Sequence, residues 1–384
     1  MISRQIFYKL SARFKIKLEV MDGYRWTSKE ALTLESGGML PECTIFYHTY
    51  GRLNTEGSNV VWVTHALTGS SDAADWWGGL IGAGKCFDPE QYFIVCANNL
   101  GSCYGSTGPL AFNPEKGEPY YSDFPLVTVR DQVRAHQLLA AHLGIDRIFM
   151  GIGGSMGGQQ MIQWAVDEPD RFVHLVLLAT NAFHSPWGIA FNETQRMALK
   201  ADPGFLNPHF PDAGRAGLEA ARAIGMLSYR NYQTYALTQT EEDLEVKDDF
   251  RASSYQRYQG LKLWERFNPW SYYALSRTMD SHQVGRGYMC PEEALSRVRS
   301  HTFVIGIRSD ILFPIAEQQF LARHIPGASF FGIDSVYGHD GFLVEWEQMT
   351  ILLEAFLSGK PHATPLPVYS PTFFRTALPG SERF

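Results

Sequence analysis

Three side chains in this sequence have the types and chain order needed to move an acyl group. Gly153-Gly154-Ser155-Met156-Gly157 fits the pattern G-x-S-x-G. It lies between an apolar run, residues 148–152 (IFMGI), and a helical pattern over 156–167, so the serine stands at a strand-to-helix turn. The flanking glycines let the chain turn sharply and push the hydroxyl out of a sheet, while the helix start offers N–H dipoles to a developing negative charge. A serine hydroxyl is a poor nucleophile near neutral pH and needs a base, oriented by a carboxylate. Asp310 ends the run 302–307 (TFVIGI), and His339, in Tyr337-Gly338-His339-Asp340-Gly341, follows the strand-like run 329–333. Both fall at the carboxyl ends of strands, where open α/β sheets place their sites. Ser155, Asp310 and His339 are therefore the expected catalytic triad.

A glycine-rich turn can also cradle phosphate. The dinucleotide fingerprint G-x-G-x-x-G fails here, because a match starting at Gly151 and Gly153 needs glycine where Met156 stands. Acyl chemistry also needs two N–H donors for the oxyanion. One is the N–H of Met156. The other should come from His65-Ala66-Leu67-Thr68-Gly69, the loop leaving the run 60–64, and Leu67 is the residue chosen. His65 has no H-E-x-x-H pattern or Cys/His cluster around it, so it reads as structural and no metal is expected.

The serine, acid and histidine order is that of the α/β-hydrolase fold. The elements fit it. Residues 60–64 (VVWVT), 92–97 (YFIVCA), 148–152 and 173–180 (VHLVLLAT) are too continuously apolar for one-sided strands and read as central strands of a largely parallel sheet. Thr128 can cap a helix with Asp131 three residues on, and Gly144 ends it. From 181 to 299 strand-like runs vanish; helical stretches at 213–229 and 254–267 lie among prolines, as in a helical lid. Strands resume at 302–307 and 329–333, followed by a helix over 346–357. The expected organisation is a first core segment (1–180), a lid (181–299), a second core segment (300–358) and a proline-rich tail (359–384).

The chain has 384 residues, is 45% hydrophobic and 19% charged, and carries a formal charge of −7. That is enough to bury a large core and offers no footprint for nucleic acid. Lysines and arginines at 9, 13, 15 and 17 break up the apolar core a signal peptide would need, and no apolar run approaches a membrane span. Five cysteines without C-x-x-C spacing point to reduced, mostly buried thiols in a cytoplasmic protein.

Several motifs together resemble the homoserine O-acyltransferases of the MetX type. They are Tyr47-His48-Thr49-Tyr50-Gly51, His65-Ala66-Leu67-Thr68-Gly69, Gly105-Ser106-Thr107-Gly108-Pro109, Gly153-Gly154-Ser155-Met156-Gly157-Gly158, Met226-Leu227-Ser228-Tyr229-Arg230, Tyr258-Gln259-Gly260 and Gly338-His339-Asp340. The likeness runs from about 40 to 357, lid included. It implies that acetyl-CoA or succinyl-CoA acylates the serine and that the acyl group passes to the γ-hydroxyl of L-homoserine, on the way to methionine. It implies no bound cofactor, a homodimer formed through the lid, and substrate-binding roles for Arg222, Asp340 and Tyr229. Arg222 and Tyr229 are seven apart on one helical stretch and share a face. A guanidinium can fork onto a substrate carboxylate, and a carboxylate beside the catalytic histidine can hold an ammonium. Asn98-Asn99, Ser102-Cys103-Tyr104 and Asn268-Pro269-Trp270 depart from the family pattern. The competing readings are a serine esterase or amidase with water as acceptor, transfer to another hydroxyl such as that of L-serine, and a non-enzymatic binding scaffold.

Overall fold

A computed structural model describes residues 23–359. The stretch 1–22, read as lacking a signal peptide, and the proline-rich tail from 360 lie outside the described residues. Eight strands form one sheet: β1 (Tyr24–Thr27), β2 (Thr44–Tyr50), β3 (Val60–Thr64), β4 (Phe93–Ala97), β5 (Ile148–Gly154), β6 (Phe172–Leu178), β7 (His301–Ile307) and β8 (Ser329–Ile333). Their order is β1-β2-β4-β3-β5-β6-β7-β8, and β2 alone runs against the rest.

Alternation along the strands fills both faces. On β3, Trp62 points into a core with Leu139, Trp164 and Phe172, while Val61 and Val63 face a second core with Ile94, Met150, Val176 and Phe303. Helices α1 (Val129–His142) and α2 (Met156–Asp167) cover the first face. Thr128 accepts from the Asp131 N–H and Asp131 accepts from the Thr128 N–H, closing the capping box at the start of α1.

Between β6 and β7 the chain is helical: α3 (Pro186–Ala201), α4 (Arg215–Tyr229), α5 (Tyr232–Gln239), α6 (Arg251–Trp264) and α7 (Pro269–Asp280). A third apolar cluster, with Leu199, Leu218, Phe267, Trp270 and Tyr272, holds these helices together and reaches Leu67 and Met156 in the core. Helix α6 starts and stops three residues before the 254–267 expected from sequence. Asn268 caps α7 with Pro269 behind it, and a residue before proline is excluded from helical geometry, so the chain closes in a turn with Phe267 N–H on Leu263 O (2.8 Å). Strands β1 and β2 were not legible in the sequence.

All five cysteines are free thiols; Cys43 and Cys96 are buried and the others half-buried. Among the described residues no helix is long and apolar enough to cross a membrane.

Away from the turn that carries His339, four of the buried histidines are His65, His136, His184 and His282. Burial pushes the first three down to about 4 and His282 to about 3, so all are neutral. Below the unfolded value of about 6.5 the unfolded chain takes up protons that the folded chain refuses until near 4, so stability falls as pH falls through that window. Urea unfolding at pH 5.5 should show roughly 1 kcal/mol less stability per buried histidine than at pH 7.5. Equal stability at the two values would contradict their neutral burial.

Candidate active site

Strand β3 connects to β4 on one side of itself, and β5 connects to β6 on the other. The loops leaving β3 and β5 therefore diverge above the sheet, and a crevice opens between them. Ser155 follows β5 directly, at φ 56° and ψ −127°. A non-glycine residue in that region is strained and must be held there. Its N–H donates to Leu178 O (3.0 Å), and its carbonyl accepts from Thr180 Oγ1 (2.8 Å). The neighbouring glycines admit close approach: a Cβ on Gly157 would lie 2.1 Å from Thr64 O, and one on Gly154 would lie 2.4 Å from the Phe342 ring.

Asp310 and His339 arrive on the loops after β7 and β8. His339 Nδ1 donates to Asp310 Oδ2 at 2.6 Å, with both side chains buried. The other carboxylate oxygen accepts the N–H groups of Leu312 (2.8 Å) and Phe313 (2.9 Å). The ring of His339 stacks on Phe313 (centroids 5.0 Å apart) and meets Phe342 edge-on. A carboxylate cannot donate, so the imidazole proton is on Nδ1 and Nε2 is left as a base. Ser155 and His339 line one cavity of about 560 Å³, roofed by the lid helices.

Leu67 lines the same cavity, and the Met156 N–H opens α2, where helix geometry leaves it without an intrahelical acceptor. Among the described residues no protein acceptor takes either N–H. The Leu67 peptide is aimed from below. His65 Nδ1 donates to Ala66 O (2.9 Å), Gly69 N–H donates to the same carbonyl (2.9 Å), and His65 Nε2 accepts the Asn99 N–H (3.3 Å). In a planar trans peptide the Leu67 N–H must point opposite to that carbonyl. His65 is thus a neutral strut of the loop.

Arg222, Tyr229 and Asp340 also line the cavity. The Arg222 guanidinium lies 5.2 Å from the centroid of the Tyr229 ring, one face of α4 as the spacing predicts. Tyr272, in the apolar cluster against which Tyr229 packs, donates its hydroxyl to Gln195 Oε1. Burial raises the Asp340 carboxyl from its ordinary value, opposed by Arg230, Arg222 and His339. Sequence reasoning left Asp340 free to meet a substrate ammonium. In the structure it already has a partner, Arg230, whose Nε lies 3.1 Å from Oδ2. Arg230 follows Tyr229 directly, and its place in Met226-Leu227-Ser228-Tyr229-Arg230 was the signal available. The contact is possible because Gly338, at φ 61°, lets the end of α4 settle on the histidine turn.

A serine at a strained strand–helix turn, a buried histidine–carboxylate pair and two open N–H groups around one cavity define an α/β-hydrolase-fold enzyme of acyl chemistry. The model of the alpha/beta hydrolase fold family matches residues 59–345. The homoserine O-acetyltransferase of Cyclobacterium marinum is 50% identical over 328 residues, covering 85% of this chain and 93% of that protein. This chain belongs to the homoserine O-acetyltransferase family. In fold it is similar to the homoserine O-acetyltransferase of Bacillus anthracis (TM-score 0.81, 24% identity, 90% of this chain and 100% of that one). It is also similar to an acetylester hydrolase of Corynebacterium glutamicum (TM-score 0.78, 25% identity, 88% and 96%).

The close approach at the serine turn gives a direct test. Gly157→Ala forces its methyl against Thr64 O and should cost about 1–3 kcal/mol in urea unfolding, the usual range for overpacking. Activity should fall further than stability, roughly a hundredfold, because Ser155 moves. A variant with normal activity would show that the turn tolerates the shift.

Proposed function

We propose that this enzyme transfers an acetyl group from acetyl-CoA to the γ-hydroxyl of L-homoserine through an acetyl–Ser155 intermediate. The observation that carries the reading is one lid-roofed cavity that holds the Ser155–His339–Asp310 set together with Arg222 and Asp340. Family membership supports the acceptor; the donor and the two-step route rest on the chemistry below.

Ser155 Oγ attacks the thioester carbonyl while His339 Nε2 takes its proton, and Asp310 steadies the imidazolium. The tetrahedral oxyanion is met by the Leu67 and Met156 N–H groups. It collapses with loss of the thiolate of coenzyme A, which takes the proton from His339. Homoserine then gives its hydroxyl proton to Nε2 and attacks the acetyl carbon, and Ser155 Oγ leaves and recovers a proton. Arg222 is placed to fork onto the amino-acid carboxylate. Asp340, shared with Arg230, is placed to meet the ammonium. The product would serve methionine formation. A second copy of the chain is the proposed partner, seated on the exposed lid residues Leu227, Tyr232, Leu244 and Tyr258; light scattering of the purified protein would reveal a dimer.

Acetyl-CoA without acceptor should leave an acetyl adduct on the peptide carrying Ser155, lost in Ser155→Ala together with several orders of magnitude of activity. Varied donor and acceptor should give parallel double-reciprocal lines. Thioester hydrolysis as fast without homoserine as with it would favour an esterase, and faster turnover with succinyl-CoA or L-serine would replace the substrates named here.

Rapid quenching separates the two half-reactions. Arg222→Ala should form acetyl–Ser155 at close to the normal rate yet lose about 2–5 kcal/mol in acceptor kcat/KM, the scale for breaking a desolvated charge pair. Slowed acylation would move Arg222 to the donor site.

A further inference from the structure

We infer that Arg266, carried by the lid, is a positioning residue for the oxyanion hole. Its Nη1 donates to Thr68 O (2.7 Å) and to the Tyr104 hydroxyl (2.7 Å), and Nη2 donates to Thr68 Oγ1 (3.4 Å). Thr68 is the residue after Leu67. Gly69 N–H on Ala66 O closes a four-residue turn with Leu67 and Thr68 at its corners. His65 pins the first end of that turn from the core. Among the described residues, Arg266 supplies the donor to the Thr68 carbonyl, so the second end is pinned from the lid.

The guanidinium is half-buried at the cavity wall and forms no ion pair among the described residues. A surface arginine would gain more from a carboxylate than from three neutral oxygens. Here a planar fork of fixed donors grips a carbonyl and a hydroxyl of one residue, which sets orientation more than it supplies charge. Arg266 itself is held by the turn that ends α6, with its N–H on Leu263 O (3.0 Å). The side chains of Leu67 and Met156 are packed into the lid's own apolar cluster. Both oxyanion donors thus take their position from lid and core together, and the hole is complete only when the lid is seated.

This inference rests on the proposed acetyl–Ser155 route and separates from Arg222 by one feature. The same hole serves the tetrahedral species of both half-reactions, whereas an acceptor-binding residue serves only the second. Arg266→Met should therefore lower donor and acceptor kcat/KM by a similar factor, roughly ten- to a hundredfold, since a small misplacement of a donor is costly. Arg266→Lys, which keeps one donor for Thr68 O, should recover part of the loss. The affinity for a trifluoromethyl ketone analogue of the acetyl donor, whose adduct with Ser155 puts an alkoxide in the hole, should fall by the same factor. Should Arg266→Met not fold, Arg266→Lys and Tyr104→Phe carry the same measurements, with smaller equal losses expected in both half-reactions. A loss confined to donor kcat/KM would make Arg266 a donor-binding residue and overturn the inference. Unchanged rates, or unchanged ketone affinity beside slowed rates, would overturn it too. Transfer that survives Ser155→Ala would instead remove the route on which it rests.

Discussion

The strained backbone of Ser155 is the constraint around which the rest of the site is arranged. Holding a non-glycine residue at φ 56° and ψ −127° costs of order 1–3 kcal/mol. The conformation persists because its surroundings leave no alternative: β6 takes the N–H, Thr180 holds the carbonyl, and bare glycine backbone packs against Thr64 and Phe342. Strain of this kind fixes the hydroxyl without a side-chain tether, so the oxygen stays free for chemistry. The same packing sets the start of α2, and with it the Met156 N–H.

The remaining groups are fixed by contacts between elements far apart in sequence. Asp310 spends one oxygen on His339 and the other on two backbone N–H groups, so its orientation is over-determined. His339 is pressed between Phe313 and Phe342. Asp340 is held to the lid by Arg230. Around Asp310 and His339, rigidity thus comes from charge-assisted hydrogen bonds and flat ring contacts, while the lid adds charge on one side of the cavity only.

How far the sequence exposed this varies with the kind of signal. Strands buried on both faces, such as Val60–Thr64 and His301–Ile307, read directly from their apolar runs, and α1 read from Thr128 and Asp131. The residues proposed as triad followed from chain order and strand ends. Strand β2 did not read as a strand, because TIFYHTY mixes histidine and tyrosine among its apolar positions. Its polar groups are satisfied by tertiary partners, such as His48 Nδ1 with Ser71 Oγ at 2.8 Å, that no local pattern encodes. Arg230 lay within a motif but had no assigned partner, and Arg266 was not singled out. Their partners, Asp340 and Thr68, lie more than a hundred residues away, and only the folded chain brings them together.

The lid interrupts the sheet between neighbouring strands, and this has a consequence for synthesis. Strands β6 and β7 pair in parallel, yet about 120 residues separate them along the chain. At about 5–20 residues per second, a ribosome needs roughly ten seconds to pass from one to the other. Throughout that interval Phe172–Leu178 presents an unpaired apolar edge, the kind of template on which nascent chains aggregate. The half of the protein that carries Ser155 is made first and waits for Asp310 and His339. An early need for chaperone cover is thus written into the position of the insertion.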